Sequence, residues 1–131
     1  AKEGVPLNIL GGEGATIAYY GSEIELHYET VTPHGDEIFS ANSKEQCFEV
    51  ALELFRNDAY QARMLATTIL GRLAIEDNDA LRFLKEQVST DKNWRVQEML
   101  AKAFDEVCRH RGYEVYRCGK KLSTYCKVTC G

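Results

Sequence analysis

The sequence predicts an α+β fold: a short α-solenoid of two helix pairs with a small N-terminal β element and an irregular C-terminal tail rich in Cys and Lys. Apolar residues alternate with acids early in the chain, recur at helical spacing in the middle, and follow neither pattern in the tail. These patterns divide the chain into an acidic strand-rich segment (1–42), helical repeats (43–112) and a basic Cys-rich tail (113–131).

The composition is that of a folded, soluble protein, and we expect a cytoplasmic location. The chain has 131 residues, of which 44% are hydrophobic, too high a share for general disorder. No apolar run is long enough to span a membrane. The net charge of −4 argues against a strongly basic nucleic-acid binder. However, residues 1–43 contain seven acids and one base, so most of the negative charge lies there. The middle segment is close to neutral, and the net charge of the chain therefore does not exclude DNA as a partner.

The five cysteines cannot all pair within one chain, because their number is odd. No cysteine or histidine cluster has the spacing of a metal site, so we expect neither a metal nor a cofactor. Reduced thiols are expected in a cytoplasmic protein. The alternative is a stapled tail in which Cys118 pairs with Cys126 or Cys130.

The acidic segment has the patterns of β-strands. Ile24, Leu26 and Tyr28 alternate with polar residues, as in a strand with one buried face. A β-prone run over 16–20 precedes them. The segment 33–36 has the residues of a turn, so a return strand is expected at 38–39.

The middle segment predicts four amphipathic helices. Ser43 followed by Gln46 predicts a capping box at the start of the first helix. Apolar residues then recur every three or four positions, and Gly112 stands where a C-terminal glycine cap is expected. The predicted helices cover about 44–56, 59–74, 79–88 and 93–111.

These four helices read as two related pairs. The tripeptide at 64–66 is identical to the one at 99–101, and Tyr60 and Trp94 begin the two helices at nearly the same offset. A repeated helix pair of this length indicates an α-solenoid.

The second pair contains a specific motif, NWRVQEMLAKAFD at 93–105. With the residues around it, this string resembles the bacterial DNA alkylation repair proteins, HEAT-like α-solenoids related to the alkylpurine DNA glycosylases. The resemblance covers about 43–114. Members of that family are longer, with further helix pairs on both sides, and the two ends of this chain depart from their pattern.

The resemblance implies a DNA-binding protein of alkylation damage repair, with glycosylase activity on alkylated purines. Trp94 and Glu98, four residues apart on one helix face, would be the catalytic pair. Arg95 and Arg63 would bind the DNA backbone. Ordinary structural roles are the alternative: Trp94 packing on the core, Glu98 pairing with Lys102, and the arginines serving solubility or pairing with acids.

Two other functions stay open at this point. One is a non-catalytic HEAT-like interaction module that binds a protein partner. The other follows from a local resemblance of 21–40 to FKBP-type prolyl isomerases, carried by Gly21, Tyr28, Gly35 and Phe39 among others. There Tyr28 and Phe39 would be the aromatic residues of a proline pocket.

Overall fold

A computed structural model describes residues 15–19 and 22–111. In this part of the chain, a two-stranded sheet precedes five α-helices and one short 3₁₀ turn. No described helix is long and apolar enough to cross a membrane. The elements are β1 (Ala15–Tyr19), β2 (Ser22–Leu26), α1 (Val31–Ala41), α2 (Lys44–Phe55), α3 (Tyr60–Ala74), α4 (Asn78–Glu86), the 3₁₀ turn (Val88–Thr90) and α5 (Trp94–Arg111).

The two strands form an antiparallel pair in which Ile17 lies opposite Ile24. Ile17 and Leu26 are fully buried, and β1 packs against α3. The alternation of apolar residues therefore predicted this sheet and its buried face. The chain leaves β2 at Leu26 and makes a turn over 27–30, in which the Thr30 amide donates to the carbonyl of His27.

The predicted return strand at 38–39 is wrong, because residues 31–41 form α1. Pro33 lies in the first turn of this helix, where its missing N–H would have no partner in any case. Gly35 is buried against α3: a Cβ there would lie 2.6 Å from the Cγ2 of Thr68. Pro33 and Gly35 therefore indicate a turn from the local sequence, although both fit a helix that packs closely against α3.

The four predicted helices of the middle segment are confirmed within a few residues at their ends. Ser43 and Gln46 form the predicted capping box at the start of α2. Asp77 accepts hydrogen bonds from two amides of α4, and Asn93 Oδ1 accepts one from the Arg95 amide at the start of α5. These side chains satisfy amides that have no partner within the helix.

The core is built around α3, which contacts α1, α2, α4 and α5. Twelve of its 15 residues are buried, including the polar Gln61, Thr67 and Thr68, because other elements surround this helix. Gly71 allows α5 to approach closely, since a Cβ at this position would lie 2.8 Å from that of Ala103. The helices α1 and α5 therefore flank α3.

The helices α2 and α4 also pack on α3. They meet through an edge-to-face contact between Phe55 and Phe83, whose ring centroids are 5.6 Å apart. At the end of α5, Arg111 donates to the carbonyl of Ile75 and to Asn78, which ties α5 to the α3–α4 connection. The single core fixes the relative positions of the helix ends.

Cys47 is a free, buried thiol, and burial raises its pKa above the ordinary value. Cys108 is disulfide-bonded, so the expectation of reduced thiols is wrong for this residue. The predicted tail, with its alternative pairing of Cys118, lies outside the described residues, as does the expected cap at Gly112.

Candidate functional site

An open pocket of about 450 Å³ lies where the turn before α1 meets the first turns of α3 and α5. We call it the aromatic pocket, because three of its lining residues are aromatic. The full lining is His27, Tyr28, Glu29, Tyr60, Trp94, Arg95 and Glu98. Both of the predicted catalytic residues are therefore in one pocket, together with one of the two predicted DNA-binding arginines.

Trp94 is the first residue of α5, and its side chain points into solvent at the pocket. Its exposed fraction is 64%, and it is the one large hydrophobic residue exposed in the described part of the chain. The alternative in which Trp94 packs on the core is therefore wrong. An exposed indole face is available to a ligand, and it attracts a positive charge.

Glu98 lies one helical turn after Trp94 and also lines the pocket. The phenol of Tyr28 donates a 2.8 Å hydrogen bond to its Oε1. This bond to the carboxylate holds the pKa of Tyr28 above its ordinary value. Within the described residues Glu98 forms no ion pair with Lys102, so its partner comes from across the pocket and not from its own helix.

Arg95 lies over two aromatic rings. Its guanidinium carbon is 4.5 Å from the centroid of the Tyr28 ring and 4.6 Å from that of Trp94. No carboxylate of the described residues forms an ion pair with it. The cation is therefore held by π faces, which attract it less strongly at an exposed site than a phosphate contact would.

Arg63 serves a structural role instead of facing the pocket. Its Nε donates to Asp91 at 2.7 Å, in a pair whose side chains are 19% and 5% exposed. Its Nη1 donates to the carbonyls of Asn57 and Asp58 at 2.9 and 2.8 Å. These bonds use most of the guanidinium's N–H groups, so the predicted contact of Arg63 with DNA lacks support from its geometry.

The electrostatics of the aromatic pocket favour a cation near Glu98 and an anion near the helix starts. Glu29 and Glu98 carry two carboxylates against the single charge of Arg95. The pocket also lies at the N-terminus of α3, whose cap residue Ala59 offers no side-chain acceptor to the first amides. The positive end of the helix dipole at this point attracts a negative group.

A second, smaller cavity of about 130 Å³ lies between α1, α3 and α5. Arg72 crosses it and pairs with Asp36 at 2.8 Å and with Glu106 at 3.3 Å. These pairs join the three helices and neutralise the arginine. In the described ranges no group of His, Cys, Asp and Glu side chains is arranged to hold a metal.

Sequence reasoning missed Tyr28 and Tyr60 as parts of this site. The signal for Tyr60 was present, since it begins α3 at the offset at which Trp94 begins α5. Tyr28 had no such signal in the helical pattern, because it lies 70 positions before the carboxylate it binds. Only the packing of α1 beside α3 brings it to α5.

Two solved structures are similar to this chain. AlkD2 from Streptococcus mutans is 38% identical with a TM-score of 0.64, covering 71% of this chain and 44% of AlkD2. The protein smu.31 from Streptococcus mutans UA159 is 36% identical with a TM-score of 0.63, covering 67% of this chain and 43% of that one. The chain thus spans less than half the length of either. No protein-family model and no curated protein sequence matches it.

Proposed function

We propose that this chain, whose helical part belongs to the AlkD-like alkylation repair family, is a DNA-binding protein of alkylation damage repair that releases alkylated purines as a glycosylase. The observation that carries the proposal is the exposed indole of Trp94 beside a carboxylate, Glu98, that is held from the opposite wall by Tyr28. Such a pocket has the groups that cleavage of a cationic nucleotide requires.

Trp94 would recognise the lesion by its charge. Alkylation of a purine ring nitrogen gives the base a positive charge, and the face of an indole stabilises a cation lying over it. Trp94 is exposed enough to meet a nucleotide without a change in the core. The two carboxylates of the pocket add to its preference for a cation over the neutral base.

Glu98 would act at the sugar. When the bond between the sugar C1′ and the purine nitrogen breaks, the electron pair leaves with the base and positive charge develops on the sugar. A carboxylate stabilises this charge and orients the water that adds to C1′, taking up its proton. The hydrogen bond from Tyr28 fixes the direction of the Glu98 side chain and leaves its second oxygen for this role.

Arg95 would bind the DNA backbone. It lines the pocket beside the start of α3, and within the described residues no carboxylate pairs with it. A phosphate there would gain a guanidinium and the positive end of the helix dipole. Arg63 has no such freedom, and we assign it to the stability of the connection before α5.

The two alternative functions receive less support. A protein-interaction module needs an apolar patch, and Trp94 alone is a large exposed hydrophobic residue among those described. The resemblance to prolyl isomerases required strands over 21–40, but residues 31–41 are helical. Phe39 lies in α1 and is not part of the aromatic pocket.

The test is release of methylated purines from methylated duplex DNA, measured by chromatography of the free bases. The full chain should release them, and Glu98→Gln should bind the same DNA but release at least about 100-fold less, as expected for the loss of a charge that acts on the transition state. Absence of release by the parent, with salt-dependent DNA binding, would reduce the function to binding alone. Absence of both would remove the proposal.

A further inference from the structure

The guanidinium of Arg95 lies against two aromatic rings of the aromatic pocket. It lies 4.5 Å from the Tyr28 ring and 4.6 Å from the Trp94 ring. Guanidinium is planar, delocalised and weakly hydrated, so it resembles a flat organic cation more closely than an ammonium group does. The two rings therefore already hold one planar cation, the side chain of Arg95.

We propose that Tyr28 and Trp94 form an aromatic cage for a planar organic cation, and that Arg95 fills this cage until such a ligand displaces it. The cage itself follows from the contacts of these three residues. The identification of its ligand as a methylated purine rests on the proposed function.

The surroundings favour exchange of one cation for another. Glu98 and Glu29 stay in the pocket whether or not Arg95 does, so an incoming cation finds the same negative charge. A neutral base of equal size would leave these carboxylates without compensation. The cage is therefore selective for charge, not only for a flat ring.

When a ligand displaces the Arg95 side chain from the two rings, a phosphate of the DNA backbone can bind it. Since no described carboxylate binds it, a DNA phosphate at the start of α3 would capture it without breaking an ion pair. The damaged base would then replace Arg95 between the rings at the same time as Arg95 binds the DNA backbone. In this scheme, Arg95 competes with a free nucleoside but contributes to the binding of DNA.

This scheme predicts that one variant changes the affinity for a free cation and the affinity for DNA in opposite directions. Removal of the competing side chain in Arg95→Ala should tighten binding of a free planar cation by about 2- to 5-fold, which is the strength of an exposed cation–π contact. The same variant should weaken binding of DNA and flatten its salt dependence, because a phosphate contact is lost. A merely structural arginine would move both affinities in the same direction.

The probes are 1-methyladenosine, which is cationic at neutral pH, and adenosine, which has the same ring system without the charge. Trp94 is the one tryptophan of the chain, so quenching of its fluorescence reports the cage directly. Equilibrium dialysis gives a second readout, in which Trp94→Ala should lose 1-methyladenosine binding. Arg82→Ala is the matched control, since this arginine is exposed on α4 and does not line the pocket.

Tighter binding of 1-methyladenosine to Arg95→Ala, without a gain for adenosine, would support the cage. Equal or weaker binding of 1-methyladenosine, or equal binding of the two nucleosides, would overturn it. Neither result depends on base release from DNA. A parent protein that binds the cation in this way but releases no methylated purine would contradict the proposed glycosylase and leave the cage intact.

Discussion

The phenol of Tyr28 donates a 2.8 Å hydrogen bond to Oε1 of Glu98, joining the turn before α1 to the first turns of α5. This contact joins the turn that follows the sheet to the helix that carries Trp94 and Glu98. Tyr28 lies two residues after the end of β2 and three before the start of α1, so it belongs to the connection between the sheet and the helices. The pocket therefore includes residues outside the helical repeats.

Tyr28→Phe should decrease stability at neutral pH by at most about 1 kcal/mol, because it removes one hydrogen bond at a site open to water. The raised pKa of Tyr28 means that the folded state favours the protonated phenol. The parent should therefore lose this contribution as the pH rises through that pKa, and the two proteins should become equally stable at alkaline pH. Urea denaturation across the pH range tests this. A difference that grows with alkaline pH would contradict it.

Arg63→Ala should destabilise the protein by about 3 kcal/mol, because Asp91, whose side chain is 5% exposed, loses its ion-pair partner and keeps only the hydrogen bond from the Asn93 amide. Arg82→Ala is the control, since its pair with Asp79 is exposed and should contribute less than about 0.5 kcal/mol. Chemical denaturation measures both. A stable Arg63→Ala protein that has lost DNA binding would show instead that Arg63 is the backbone contact predicted from the sequence.

Gly71→Ala should destabilise the protein by about 1–3 kcal/mol through overpacking. The added Cβ would lie 2.8 Å from the Cβ of Ala103, and this conflict exceeds the roughly 1 kcal/mol that alanine gains in helix propensity. A double variant with Ala103→Gly should recover part of the loss, as the two sites are in contact. Additive losses in the double variant would indicate that α3 and α5 are not packed through these residues.

The helices were predictable because their signals are local. The capping box at Ser43, the apolar stripes and the motif at 93–105 all fix structure within one or two helical turns, and each was confirmed. By contrast, α1 was missed because Pro33 and Gly35 indicate a turn locally. The packing of Gly35 against Thr68 depends on a helix more than 30 residues later.

From the sequence alone, only the part of the site that lies on α5 was predictable. Trp94 and Glu98 share one face of α5 because they are four residues apart, and Arg95 follows Trp94 in the sequence; the family resemblance implied their roles. The roles of Tyr28 and Arg63 depend on partners 70 and 28 positions away. The periodicity of a single sequence does not reveal pairs so far apart. Only the packed structure shows that Arg63 lies in a buried ion pair and that Arg95 lies at the pocket.

The central claim is that the aromatic pocket meets alkylated DNA, and the fluorescence of Trp94 tests it most directly. Titration of the full chain with a methylated duplex should quench this fluorescence more strongly, and at lower concentration, than the same duplex without methylation. Glu98→Gln should retain most of this quenching, because the indole remains exposed. Equal quenching by both duplexes, or none, would contradict the account.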